Sequence, residues 1–400
     1  MSDVTASPPA TAAATPVRVD SPWRRAWLAG LATWAIAYLS YLLLNAVFWT
    51  VGTEKSPPLV EFFNVWNRWD TGHYITIATT GYNPYTENTA FFPLYPLLMR
   101  VLDPVLPGEK LAAGLIIASA ACIATLAVLH RLVEDLFDTS TAQRAALYLM
   151  ASPFAFYLVA AYNESLLLAL CVAALYCMRR GHWWAAGALG GLASATRQAG
   201  VLLAVAFAIE YLRQRDWRIT RVNWDAAAVL LVPTGLLAFM IYCARAFDDP
   251  LRFLHIQEFW GRQLSVPWKG VEGALAHIVS WSAETPLHSY VVVNLIDLLT
   301  LPIVVALLVL SLVGPWRLGP SSWYLIAFGA AVFLMVLLSP IGRGLPPLHG
   351  LPRYALEMVP IFIVLARIGA NRIADRAYLF PAIALQAALL IGFFANVWLS

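Results

Sequence analysis

Charge is what this 400-residue chain has least of: Asp, Glu, Lys and Arg together make up 12% of it, about half the share found in water-soluble domains. Hydrophobic residues account for 60% and the mean hydropathy is +0.68. So little polar surface excludes a soluble globular protein. The short alternating pattern of membrane barrel strands is also missing. The apolar stretches instead run to about 20 residues, the length of a helical crossing. The four cysteines, Cys122, Cys171, Cys177 and Cys243, show neither a CxxC nor a Cys/His metal spacing, and each sits in an apolar stretch. They read as small buried hydrophobes. No GxGxxG or P-loop cradle stands on a strand–helix turn. Neither internal repeats nor matching pairs of broken spans, the marks of a secondary transporter, are visible. A net charge of +3 carries less information than the placement of the charges.

What is present is a series of apolar spans, at 24–49, 110–130, 143–161, 164–178, 225–246, 287–313, 322–339, 353–369 and 377–398. They predict an all-α polytopic membrane protein with about 9–11 transmembrane helices. Residues 1–22, rich in Ala, Thr and Pro, read as a disordered cytoplasmic tail rather than a cleavable signal, and 23–400 as a single transmembrane domain. Residues 183–212 are flanked by Arg179-Arg180 and by Arg213, Arg215, Arg218 and Arg221. Basic residues at both ends predict a hairpin of two short helices turning near Thr196–Gly200; one long tilted span is the alternative. With the N-terminus inside, loops 50–109, 247–286 and 340–352 fall outside the cytoplasm, the first carrying interfacial helices.

That first loop holds Arg68-Trp69-Asp70-Thr71-Gly72-His73-Tyr74, then Gly81-Tyr82, then Ala90-Phe91-Phe92-Pro93-Leu94-Tyr95-Pro96. One carboxylate among aromatics and prolines is an arrangement for chemistry rather than for packing. Asp70 is the candidate general base, with helix capping or a salt bridge to Arg68 or His73 as the ordinary alternative. Trp66, Trp69 and Tyr74 stand around it at helical spacing, which predicts aromatics at headgroup depth that also suit sugar rings. Arg197, in the middle of an apolar segment, and Arg343, His349 and Arg353, at outer span ends, are candidate cations for a phosphate. Glu164 and Asn163 interrupt an apolar run and read as a polar turn or as part of the same vestibule. His255, Gln257, Glu258, Trp260, Arg262 and Trp268, in loop 248–270, mix aromatics and charges and read as an acceptor-side wall.

Taken together, RWDTGHY, GY and AFFPLYP resemble the first-loop signature of the PIG-V mannosyltransferase family, polytopic glycosyltransferases of the GT-C type. Ala160-Ala161-Tyr162-Asn163-Glu164-Ser165, Thr196-Arg197-Gln198-Ala199-Gly200 and Pro352-Arg353-Tyr354 continue the resemblance in order. It implies a GT-C-like fold and an inverting transfer of mannose or another hexose from a polyprenyl-phosphate sugar, on the non-cytoplasmic face, to a glycolipid or glycan acceptor. Asp70 would be catalytic, Arg197, Arg353, Arg68, His73 and Arg343 would hold the donor phosphate, and Trp69, Tyr74, Tyr82, Tyr95, Glu164 and His349 would bind substrate. Asp70 has no acidic neighbour in sequence, so neither a two-carboxylate mechanism nor a metal cofactor is expected. The partners implied are the lipid donor, the acceptor and membrane lipids, with no nucleic acid; the expected location is the bacterial plasma membrane. A transporter or flippase of lipid or sugar substrates is the alternative, and a non-catalytic partner of a glycosylation complex is a further one.

Overall fold

The computed structural model describes residues 21–53, 56–106, 109–282, 289–342, 345–348 and 350–398. Within them every regular element is helical. The tail expected at 1–22 lies almost wholly outside the described residues, as do Arg343 and His349.

The first span is α1 (Pro22–Val47), with Pro22 at its first turn, where a missing N–H costs nothing. The large loop after it carries three short helices, α2 (Leu59–Asn64), α3 (Asp70–Thr80) and α4 (Leu94–Leu102). The bundle continues with α5 (Glu109–Leu136), α6 (Thr139–Ala151), α7 (Glu164–Arg179), α8 (Trp183–Thr196), α9 (Leu203–Arg213) and α10 (Thr234–Phe247). A short α11 (Arg252–His255) and α12 (Lys269–Ser282) follow, then α13 (Ser289–Leu312), α14 (Trp323–Leu337), α15 (Leu351–Ala355), α16 (Val359–Ile368) and α17 (Arg372–Phe394). Among the described residues five helices are long and apolar enough to cross a membrane singly, or six counting the pair 224–231 and 234–247, bent by 44°. The other apolar helices are shorter and largely buried.

Two expected spans are broken, and both breaks have a local cause. The run 143–161 ends as a helix at Ala151, because Pro153 forces Ser152 into an extended conformation, with ψ 139°. The run 353–369 is divided into α15 and α16, with Pro360 in the first turn of the second. The expected hairpin at 183–212 is present. Trp183 at the start of α8 packs on Phe207 and Tyr211 near the end of α9, with ring centroids 5.1 and 4.8 Å apart. The turn needs Gly200, since a Cβ there would lie 2.4 Å from the Ser194 nitrogen.

The two ends of the bundle differ. At one, Arg25 pairs with Glu134 at 3.2 Å, Arg131 with Glu134 and Asp135, and Arg180 with Asp135 at 3.7 Å. Gln214 ties the end of α9 to the Met178 carbonyl at 2.9 Å. This is the end that carries the Arg179-Arg180 and Arg213–Arg221 flanks of the hairpin. At the other end, segments from loops 50–109, 247–286 and 340–352 surround one cavity.

Candidate active site

Asp70 is the first residue of α3 and follows a turn in which the Thr71 N–H donates to the Arg68 carbonyl at 3.1 Å. Trp69 sits in it at φ 49°, ψ −113°, the type II′ position normally given to glycine. Holding a tryptophan there costs roughly 1–3 kcal/mol. The surroundings impose it: the Thr71 hydroxyl reaches the Trp66 and Ala161 carbonyls at 3.2 and 3.3 Å, and the Tyr162 hydroxyl donates to the Arg68 carbonyl at 3.0 Å. The turn is thereby bolted to the irregular segment that Pro153 creates, and Asp70 has one direction to point.

Its partner is Arg353, on α15. The guanidinium donates through Nη2 to Asp70 Oδ2 and through Nε to Glu164 Oε1, both at 2.5 Å. It lies 4.8 Å from the ring centres of Tyr157 and Tyr162, which fix its plane. Arg197, at the hairpin turn, donates through Nη1 to the same Glu164 oxygen at 3.1 Å and to Glu357 Oε1 at 3.2 Å, with its charge 4.2 Å from the Tyr354 ring centre. Glu164 is the hub, accepting from both arginines while only 1% exposed. Asp70 therefore has acidic neighbours in space, supplied by Glu164 and Glu357. A guanidinium separates it from Glu164, and among the described residues no three His, Cys, Asp or Glu side chains form a metal-binding group.

Asp70 and the two arginines border a cavity of about 240 Å³. Asp70, Trp69, His73, Tyr74, Arg197 and Arg353 line it, as do Gln257, Trp260 and Arg262 from the second loop. His73 donates through Nδ1 to Asn88 Oδ1 at 2.8 Å and stacks on Phe91 with centroids 4.5 Å apart. Tyr74 is buried; burial first, then the Glu164 and Asp70 carboxylates, push its hydroxyl well above the usual phenol range. It is a neutral wall, not a base.

Four expected site residues do not reach the cavity wall. Arg68 donates to the Phe394 carbonyl at 3.0 Å, closing the C-terminal end of α17, and burial lowers its pKa. Tyr82 donates to the Phe91 carbonyl at 2.7 Å and Tyr95 to the Gly114 carbonyl at 2.9 Å; both hold the loop together. Glu164 lies behind the arginines rather than in the vestibule. Trp66, expected at headgroup depth, is fully buried against Tyr41, Phe393 and Phe394, because the helix begins at Asp70 and leaves Trp66 off its face. Glu357 was not anticipated, although a lone acid between two apolar helices is a signal in itself.

The fold and this polar cavity, at one end of an apolar helical bundle, define a multi-pass membrane protein with a GT-C-like fold. The structure of ArnT from Cupriavidus metallidurans bound to undecaprenyl phosphate superimposes with a TM-score of 0.52 at 13% identity, over 92% of this chain and 76% of that one. Its apo state gives 0.50 at 14%, over 94% and 76%. Residues 57–247 match the family model described as Mannosyltransferase (PIG-V). GPI alpha-1,6-mannosyltransferase 2 of Rattus norvegicus is 31% identical over 149 residues, 34% of this chain and 30% of the relative. Its Mus musculus counterpart is 31% identical over 149 residues, 34% and 29%. The match thus spans less than a third of the length of these curated relatives. Asp70, Glu164 and Arg197 fall inside the family segment; Arg353 and Glu357 lie beyond it.

Proposed function

We propose that this protein is an inverting glycosyltransferase that moves a mannosyl, or another hexosyl, residue from a polyprenyl-phosphate sugar to a hydroxyl of a lipid-linked glycan or similar acceptor. The observation that carries this reading is the posture of Asp70. Arg353 holds its Oδ2, while its Oδ1 has no hydrogen bond among the described residues and the side chain borders the cavity.

The chemistry follows from that posture. Oδ1 takes the proton of the acceptor hydroxyl as the hydroxyl oxygen attacks the anomeric carbon, and the bond from that carbon to the phosphate oxygen breaks, its electron pair leaving with the polyprenyl phosphate. Phosphate is a good leaving group, so the site contributes mainly orientation and positive charge. Trp69, Tyr74 and Trp260 offer apolar faces for a sugar ring. Guanidinium groups in the wall supply the charge, and in this reading no divalent metal is required. The relatives of Rattus norvegicus and Mus musculus are named as mannosyltransferases, which favours transfer over transport.

The same reading puts the cavity on the outer face of a bacterial plasma membrane, away from cytoplasmic nucleotide sugars. Purified protein in detergent should transfer mannose from polyprenyl-phosphate mannose to a glycolipid acceptor in the presence of EDTA. Transfer from GDP-mannose without a lipid intermediate would overturn both the donor and the sidedness. Loss of activity in EDTA, restored by a divalent ion, would overturn the metal-free mechanism.

A further inference from the structure

Among the described residues three arginines line the cavity, and two of them are already paired with carboxylates. Arg197 and Arg353 face Asp70, Glu164 and Glu357, so with all five groups ionised the cluster carries one negative charge. A phosphate brought to that cluster finds no guanidinium there without a carboxylate partner. Arg262 is different: among the described residues it has no acidic partner, and its one side-chain hydrogen bond is a long one, 3.5 Å from Nη1 to the Tyr354 hydroxyl. Its position is built by the backbone. Residues Ile256–Trp260 form a tight helical turn, Gly261 follows at φ 71°, and the Arg262 N–H returns to the Gln257 carbonyl at 3.1 Å. That left-handed step, natural to glycine, turns the chain so that Arg262 joins Gln257 and Trp260 on the cavity wall.

We infer that Arg262 is the principal contact for the anionic lipid phosphate, with Arg197 and Arg353 serving chiefly to hold Asp70 and close the floor. A guanidinium without a carboxylate partner offers its paired N–H groups, and an unmatched positive charge, to phosphate oxygens. The inference rests on the donor class proposed above and goes further by assigning the phosphate to a residue outside the family segment.

Direct binding tests it without requiring turnover. Wild-type protein in detergent should bind undecaprenyl phosphate more tightly than undecaprenol. Arg262→Ala should weaken undecaprenyl phosphate binding about tenfold or more and leave undecaprenol unchanged, and Arg262→Lys should recover only part of the loss. Thermal unfolding of each variant checks that it is folded. A folded Arg262→Ala protein with wild-type preference for the phosphate would overturn the assignment while leaving the donor class intact. Wild-type protein with no preference for the phosphate would overturn the donor class and the assignment with it.

Discussion

Replacing Asp70 by Asn should lower turnover by about 10²-fold or more while leaving polyprenyl-phosphate binding close to wild type. The amide keeps the size of the side chain, and its oxygen can still accept from Arg353, so the turn at Trp69 and the cavity wall are preserved. What is lost is the ability of the other carboxylate oxygen to take the acceptor proton. The effect should fall on kcat rather than on the KM for the donor, because the base acts as the hydroxyl attacks. A well-folded Asp70→Asn protein with near-normal turnover on its native acceptor would remove Asp70 from the chemistry.

Glu164→Ala should be the most destabilising single change in the site. Its carboxylate is buried and receives hydrogen bonds from both Arg353 and Arg197, and truncation leaves two buried guanidiniums short of a counter-charge. Breaking a buried pair from one side costs roughly 3–5 kcal/mol, and here two pairs break together. The midpoint of thermal unfolding in detergent should fall clearly. Activity should fall with it, since Arg353 loses one of the two carboxylates that fix it beside Asp70. An unchanged midpoint would mean that the hub is not the structural centre drawn above.

Much of this is legible in the sequence. The shortage of charge gave the membrane class, and the RWDTGHY loop gave Asp70 and its lining by His73, Trp69 and Tyr74. The basic flanks of 183–212 gave the hairpin and, through the cost of an arginine in an apolar segment, singled out Arg197. The failures fall where one residue type serves two purposes. An aromatic in a polar loop can line a cavity, as Tyr74 does, or pin a carbonyl, as Tyr82 and Tyr95 do, and spacing alone does not separate the two. Arg68 stands two residues before Asp70 yet turns to the end of α17, a contact 326 positions away. Hydropathy also ran straight through Pro153 and Glu357, reading two spans where the chain breaks. Those breaks place Tyr157, Tyr162 and Glu357 around the arginines, so the sequence pattern failed at the irregular backbone that assembles the site.

The reaction proposed for Asp70 is a single displacement, and the anomeric configuration of the product tests it most directly. Purified wild-type protein would be given polyprenyl-phosphate mannose of one defined anomer, and the new glycosidic linkage read by NMR. A base that activates the acceptor hydroxyl for one in-line attack requires inversion. Retention of the donor configuration would call for a covalent glycosyl intermediate, with a carboxylate acting as nucleophile rather than base, and would contradict the role given to Asp70.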